Sequence, residues 1–330
     1  MLDSLHPLVL VIAAILIGLA GLVWSADRFV AGAASLAKSF GVAPLIIGLT
    51  IVSFGTSAPE IMVAISASLK GTGALGVGNA IGSNIANIGL VLGVTTLVAA
   101  IPVQNHILRH EIPVLLGVTL VSGYFLLDAT LTFTEGLILA GCLVPAILYL
   151  VKVKQRELSV TEIAEEEEIQ EMPRSRAILW FVIGLSLLMV SSELLVWGSK
   201  SAAEMAGVSP LIIGLTVVAV GTSLPELAAS MMSAVRGHHD IALGNIVGSN
   251  MFNLMAVMSV PGIIATTAME PQVFSRDYLA MLGLTVLLAL LVAKTLWLNR
   301  KTGNAKLGAV TGIILLCSYV AYYAVLFTTP

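Results

Sequence analysis

Ten apolar runs follow one another along the chain, centred near residues 16, 55, 90, 118, 142, 187, 220, 255, 286 and 317. Each approaches the roughly 20 residues that an α-helix needs to cross about 30 Å of hydrocarbon. A closed transmembrane barrel would show short segments of alternating polarity, whereas these runs are apolar all round, so helices are expected. The polar positions inside the runs repeat. LIIGLTIVSFGTSAPE at 45–60 returns as LIIGLTVVAVGTSLPE at 211–226, and GNAIGSNIANI at 78–88 returns as GNIVGSNMFNL at 244–254, always 166 residues later. Asp27 falls opposite Glu193, Gly32 opposite Gly198, and LLGVT at 115–119 opposite MLGLT at 281–285. The duplication covers most of each half.

The expected fold is therefore an all-α polytopic membrane protein with ten transmembrane helices. Residues 1–151 form a first five-helix repeat with its motif at 45–93, and 177–330 form a second with its motif at 211–260. Residues 152–176 join them. Five spans, a crossing loop and five more place the second half upside down relative to the first, a 5+5 inverted repeat of the kind that secondary transporters use.

Charge fixes an orientation for this arrangement. Cytoplasmic loops carry an excess of Lys and Arg, and with ten spans only Lys70, Lys200 and Arg276 of the 16 basic residues fall on the sparse side. The 152–176 linker is thus expected in the cytoplasm and both termini outside. Its Glu165–Glu168 block reads as a solvated charge run, since an EF-hand loop needs spaced ligands around a central Gly. Asp27 and Arg28 follow the first apolar run where a small-residue cleavage site would stand, so that run is expected to remain as a helix.

Composition narrows the class further. With 58% hydrophobic and 11% charged residues and a mean hydropathy of +1.01, the chain is far from a soluble domain. No basic patch points to nucleic acid. Cys142 and Cys317 both lie within apolar runs and read as small hydrophobes.

Against that background two carboxylates stand out. Glu60 and Glu226 lie inside the apolar runs with no basic residue within a turn of either, and an unpaired charge costs at least ~2.5 kcal/mol at the centre of a membrane helix. A counter-cation is the expected compensation. Pro59 and Pro225 lack an amide hydrogen and clash with the carbonyl four residues back, so each helix is expected to break near Gly55 and Gly221, freeing a carbonyl to bind a cation. Irregular backbone at this depth is tolerated where protein or a water-filled cavity satisfies it. If helix resumes, Thr56 and Ser57 share a face with Glu60.

The following run of each repeat adds a stripe at spacing four, Asn79, Ser83 and Asn87, mirrored by Asn245, Ser249 and Asn253. Gly78, Gly82, Ala86 and Gly89 beside it would let a neighbouring helix approach closely. Taken singly, a Ser or Thr in such a helix bonds its own backbone and an Asn bonds helices together. Gathered around two acids, these hard oxygen donors suit calcium, magnesium or sodium, while the five His lie at helix ends or in loops, away from any zinc or copper geometry. Two carboxylates balance one divalent cation or two monovalent ones, which suggests exchange. Protons are expected to compete for the same oxygens, so transport should fall between about pH 8 and 6.

At these residues the sequence resembles the cation/calcium antiporter superfamily, in particular the prokaryotic sodium/calcium exchangers, whose two repeats carry G-T-S-x-P-E followed by G-N-x-x-G-S-N. The resemblance covers essentially the whole chain. It implies a transporter of the cell membrane, with no enzymatic reaction and no cofactor, exchanging sodium for calcium by alternating access. Calcium and sodium are its substrates and the lipid bilayer its surroundings; a monomer is compatible with this. Carried over, the resemblance assigns calcium to Glu60 and Glu226 with the carbonyls of Thr56 and Thr222. It assigns sodium to Ser57, Ser83, Ser223 and Ser249 alongside the glutamates, and adds the carbonyls of Ser53 and Ala219 as flanking ligands. The first and sixth helices, roughly 8–30 and 178–200, would slide over a static core. Some relatives place an aspartate where Asn253 stands; here both Asn87 and Asn253 are amides, which argues against a potassium requirement. A proton/calcium exchanger is the alternative, although the acidic-helix motif G-N-A-x-E of that branch is absent. A cation channel would need a continuous polar pathway, and a membrane scaffold would leave Glu60→Gln silent.

Overall fold

The computed structural model describes residues 2–154, 172–207 and 219–328, and these are almost entirely helical. The Glu165–Glu168 block and the 211–218 part of the second motif lie outside the described residues. The helices, in chain order, are α1 (Leu2–Phe40), α2 (Pro44–Thr56), α3 (Ala58–Leu69), α4 (Gly73–Val98), α5 (Ile112–Leu126), α6 (Phe133–Lys154), α7 (Arg174–Met205), α8 (Ala219–Thr222), α9 (Leu224–Val235), α10 (His239–Ile264), α11 (Val273–Leu298) and α12 (Ala309–Thr328). Seven of them, α1, α4, α6, α7, α10, α11 and α12, are long and apolar enough to cross a membrane, and the pair α2 and α3, bent by 42°, makes an eighth span if counted as one. The polytopic helical membrane architecture expected from the apolar runs is thus present. The ten expected runs exceed these eight for local reasons: α5 has 15 residues and the π turn ahead of it, Ile107–Glu111, carries the polar Arg109, His110 and Glu111, and the run ahead of α8 falls outside the described residues.

The 166-residue period recurs in the backbone. Gly41 and Gly207 follow α1 and α7 at φ +61° and +76°, and Gly71 and Gly237 follow α3 and α9 at +74° and +81°. This left-handed conformation costs a residue without Cβ little, which is how these helices stop. The π turns recur as well, at Asn87–Leu92 and Asn253–Val257 and at Ile107–Glu111 and Val273–Tyr278. Two short antiparallel ribbons link the halves: Ile101–Pro102 pairs with Lys306–Leu307, and Thr130–Leu131 with Thr267–Ala268.

Burial separates a core from a periphery. α10 is buried along nearly its whole length and α4 along most of it, whereas the other long helices turn most of their surface outward, as lipid-facing helices do. α2 crosses α10 backbone to backbone: a Cβ on Gly48 would lie 2.7 Å from the Ile241 carbonyl oxygen, and one on Gly244 would lie 2.6 Å from that of Leu45. The close approach expected at Gly89 occurs against Tyr319, but among the described residues nothing lies within 4 Å of Gly78 or Gly82. Outside this core, α1 and α7 run antiparallel in contact. Gly18 faces Leu195, Gly32 faces Phe181, Gly184 faces Phe29 and Gly198 faces Ile15, each too close to admit a side chain without a shift. Small residues at such crossings let membrane helices gain packing energy where the hydrophobic effect offers none.

Candidate cation site

Both breaks in the repeated motif fall at serine. Ser57 (φ −83°, ψ 4°) separates α2 from α3, and Ser223 (φ −90°, ψ 4°) separates α8 from α9. The break is therefore two residues before each proline rather than near Gly55 and Gly221. Pro59 and Pro225 sit at the second position of the resumed helix, where an amide hydrogen has no intrahelical partner to lose. This places Glu60 and Glu226 in the first turn of α3 and α9, where the helix dipole favours a negative charge. Both are buried, at 0% and 1% exposure.

The non-helical turn also redirects the hydroxyls that precede it. Ser57 and Thr56 do not bond Glu60 on their own helix face, as helical continuity would have it. The Ser57 hydroxyl donates to Glu226 Oε1 at 3.3 Å, and Thr56 donates to Asn245 Oδ1 at 3.2 Å and lies 3.5 Å from Ser249 Oγ. The first motif thus bonds the second. Glu60 takes its hydroxyl from α4, where Ser83 donates to Oε1 at 3.5 Å.

The remaining expected ligands have different positions. Asn87 and Asn253 are buried at the heads of the two mated π turns, and neither the oxygen nor the nitrogen of either amide has a hydrogen-bond partner among the described residues. Such turns are frequent at functional sites because they re-aim one side chain within a continuing helix. Glu60 Oε2, Glu226 Oε2 and the Ser223 hydroxyl are likewise buried without a partner. Buried polar atoms are normally bonded, and this gathering of oxygens suits a hard cation. Thr222 is half-buried and lines a cavity of about 530 Å³ together with Pro59, Pro225, Glu193 and Ser192. The Ser53 carbonyl accepts the Ser57 amide at 2.9 Å, and its hydroxyl donates to the Gly48 and Asn245 carbonyls. Ala219 opens α8.

One expectation about freed carbonyls is corrected here. The Gly221 carbonyl, released by Pro225, accepts the Ser192 hydroxyl of α7 at 3.1 Å, so the neighbouring helix already satisfies it. Asn245, expected within the ligand stripe, is already bonded on both sides. The Asn245 amide donates to Ser230 Oγ at 2.9 Å and accepts from Thr56, which makes it a bracket between the motifs rather than an open ligand. Asn84 donates to the carbonyl of its own repeat mate, Asn250, at 3.1 Å, so the two copies meet at equivalent positions. The shared last position of the two G-S-N triplets is the signal that could have found this pair.

Known proteins resemble this chain over nearly its whole length. A family model described as sodium/calcium exchanger protein matches residues 10–153 and 176–328. CaxA of Alkalimonas amylolytica is 42% identical over 318 residues, spanning 96% of this chain and 98% of its own. Inner membrane protein YrbG of Escherichia coli is 38% identical over 325 residues, spanning 97% and 98%. Among solved structures, the sodium-calcium exchanger NCX_Mj soaked with zero Na+ and Ca2+ superposes with a TM-score of 0.81 at 29% identity, covering 97% of this chain and 99% of that one.

Proposed function

Because this chain belongs to the sodium/calcium exchanger protein family, whose members and structural neighbours are transporters, we propose that it exchanges sodium for calcium across a cell membrane at one site between Glu60 and Glu226. The single observation that carries the site is the meeting of two buried carboxylates from repeated motifs, with Ser57 of one motif bonded to Glu226 of the other. Glu60, Glu226 and the Thr56 and Thr222 carbonyls would hold calcium. Ser57, Ser83, Ser223 and Ser249 would complete sodium sites with the same carboxylates, and Asn87 and Asn253 would add neutral oxygens. The Ser53 and Ala219 carbonyls would flank them.

The architecture proposed for this activity is ten spans as a 5+5 inverted repeat. The apolar runs centred near residues 118 and 220 would add two spans to the eight candidates. The antiparallel contact of α1 with α7, and the recurrence of glycines and π turns at 166 residues, support the inversion. The distribution of basic residues supports a cytoplasmic 152–176 loop and external termini. Overlapping ligands couple the two ions: a loaded site crosses the membrane at low cost, while two bare carboxylates in a medium of low dielectric do not.

Calcium uptake into proteoliposomes tests the coupling. Uptake should follow an outward sodium gradient and be absent from vesicles loaded with potassium or choline. Uptake driven by a proton gradient alone would replace sodium with protons as the coupling ion.

A further inference from the structure

Four charged residues form two repeat-related pairs, of which one is closed and the other open. Asp27 and Glu193 are mates on α1 and α7; Arg236 and Lys70 are mates just past the ends of α9 and α3, each followed by a left-handed glycine. The Arg236 guanidinium grips Asp27 Oδ1, with Nε at 2.7 Å and a second nitrogen on the same oxygen. Glu193 and Lys70 are exposed and make no ion pair among the described residues.

The helices that carry the pairs differ in the same sense. α1 lies packed along α9, and Ala228 and Ala229 of α9 are 4% and 0% exposed. Their mates on α3, Met62 and Val63, are 63% and 40% exposed, because α7 stands away from α3 with the 530 Å³ cavity between. Glu193 lines that cavity from α7, and Ser66, one helical turn before Lys70, lines it from α3. Closing α7 onto α3 as α1 is closed onto α9 would bring Glu193 to Lys70.

From this asymmetry we propose that Asp27–Arg236 and Glu193–Lys70 are alternating latches, one made when the site opens on the Lys70 side and the other when it opens on the Arg236 side. The proposal rests on the exchange reading above, and assigns positioning residues to it that touch no cation. Coupling between the latches comes from the α1–α7 pair. Its glycine contacts join the two helices over several turns, and the two acids sit on either side of the pair's crossing, about 10 Å apart at ~1.5 Å per residue. A shift of the pair that frees Asp27 therefore advances Glu193. The Arg236 side carries most of the basic residues, so the closed latch is the cytoplasmic one and the open cavity faces outward.

The test is thiol labelling of Val63→Cys, with Cys142 and Cys317 replaced by Ala, by a membrane-impermeant maleimide on the protein in its membrane. Asp27→Asn and Arg236→Gln should each slow labelling by about threefold or more, the scale of a half-exposed ion pair. Glu193→Gln or Lys70→Gln should leave it fast, and the swap Asp27→Arg with Arg236→Asp should restore the parental rate. Unchanged labelling in both Asp27→Asn and Arg236→Gln, or a swap that labels no faster than its single variants, overturns the latches. Calcium flux measured on the same samples separates the two readings. Shifted labelling without sodium-driven flux would refute the exchange reading alone, and intact flux with unchanged labelling would refute the latches alone.

Discussion

Ser57 donates to Glu226 across the boundary between the two motifs, while its mate Ser223 is buried with no hydrogen-bond partner among the described residues. Two residues at matching positions of the repeat thus have unequal roles in this conformation. A side-chain hydrogen bond contributes about 0.5–1.5 kcal/mol net. Ser57→Ala should therefore lower the melting temperature of the cation-free protein in detergent by a few degrees, and Ser223→Ala should leave it unchanged. Both should weaken sodium-dependent exchange, and equal melting temperatures for the two variants would remove the asymmetry.

The crossing of α2 and α10 admits no side chain at Gly244, where a Cβ would lie 2.6 Å from the Leu45 oxygen and 3.0 Å from the Leu49 nitrogen. Gly244→Ala should destabilise the protein by about 1–3 kcal/mol through overpacking. A Cβ on Gly141 of α6 would meet no neighbouring described residue within 4 Å, so Gly141→Ala should change stability by no more than about 0.5 kcal/mol. Thermal unfolding monitored by size-exclusion chromatography distinguishes the pair.

Asn87 and Asn253 bring oxygens without charge. Asn253→Ala should raise the sodium concentration needed for half-maximal exchange, and Asn253→Asp should make exchange more sensitive to acid because a third carboxylate adds a proton-binding group among the cation ligands. Calcium uptake measured between about pH 8 and 6 reads both effects; an Asn253→Asp profile that overlays the parent would show that this position faces away from the ions.

Much of this was legible because it depended on periodicity. The two motifs, the helical membrane class, the break ahead of each glutamate and the stripe carrying Ser83, Asn87, Ser249 and Asn253 follow from residue spacing alone. What spacing could not give was direction. A single turn at Ser57 with ψ near 4° swings its hydroxyl from Glu60 to Glu226, and the register between two helices decides that Ser192 reaches the Gly221 carbonyl. The Asp27–Arg236 pair joins residues 209 apart in sequence, and only tertiary packing could select it.

The central claim is that Glu60 and Glu226 together hold the transported cation. Equilibrium binding of radioactive calcium to the purified protein, titrated with sodium, addresses it directly. The account predicts one saturable calcium per chain, displaced by sodium, and loss of that binding in Glu60→Gln and in Glu226→Gln alike. Parental calcium affinity in either variant would contradict it.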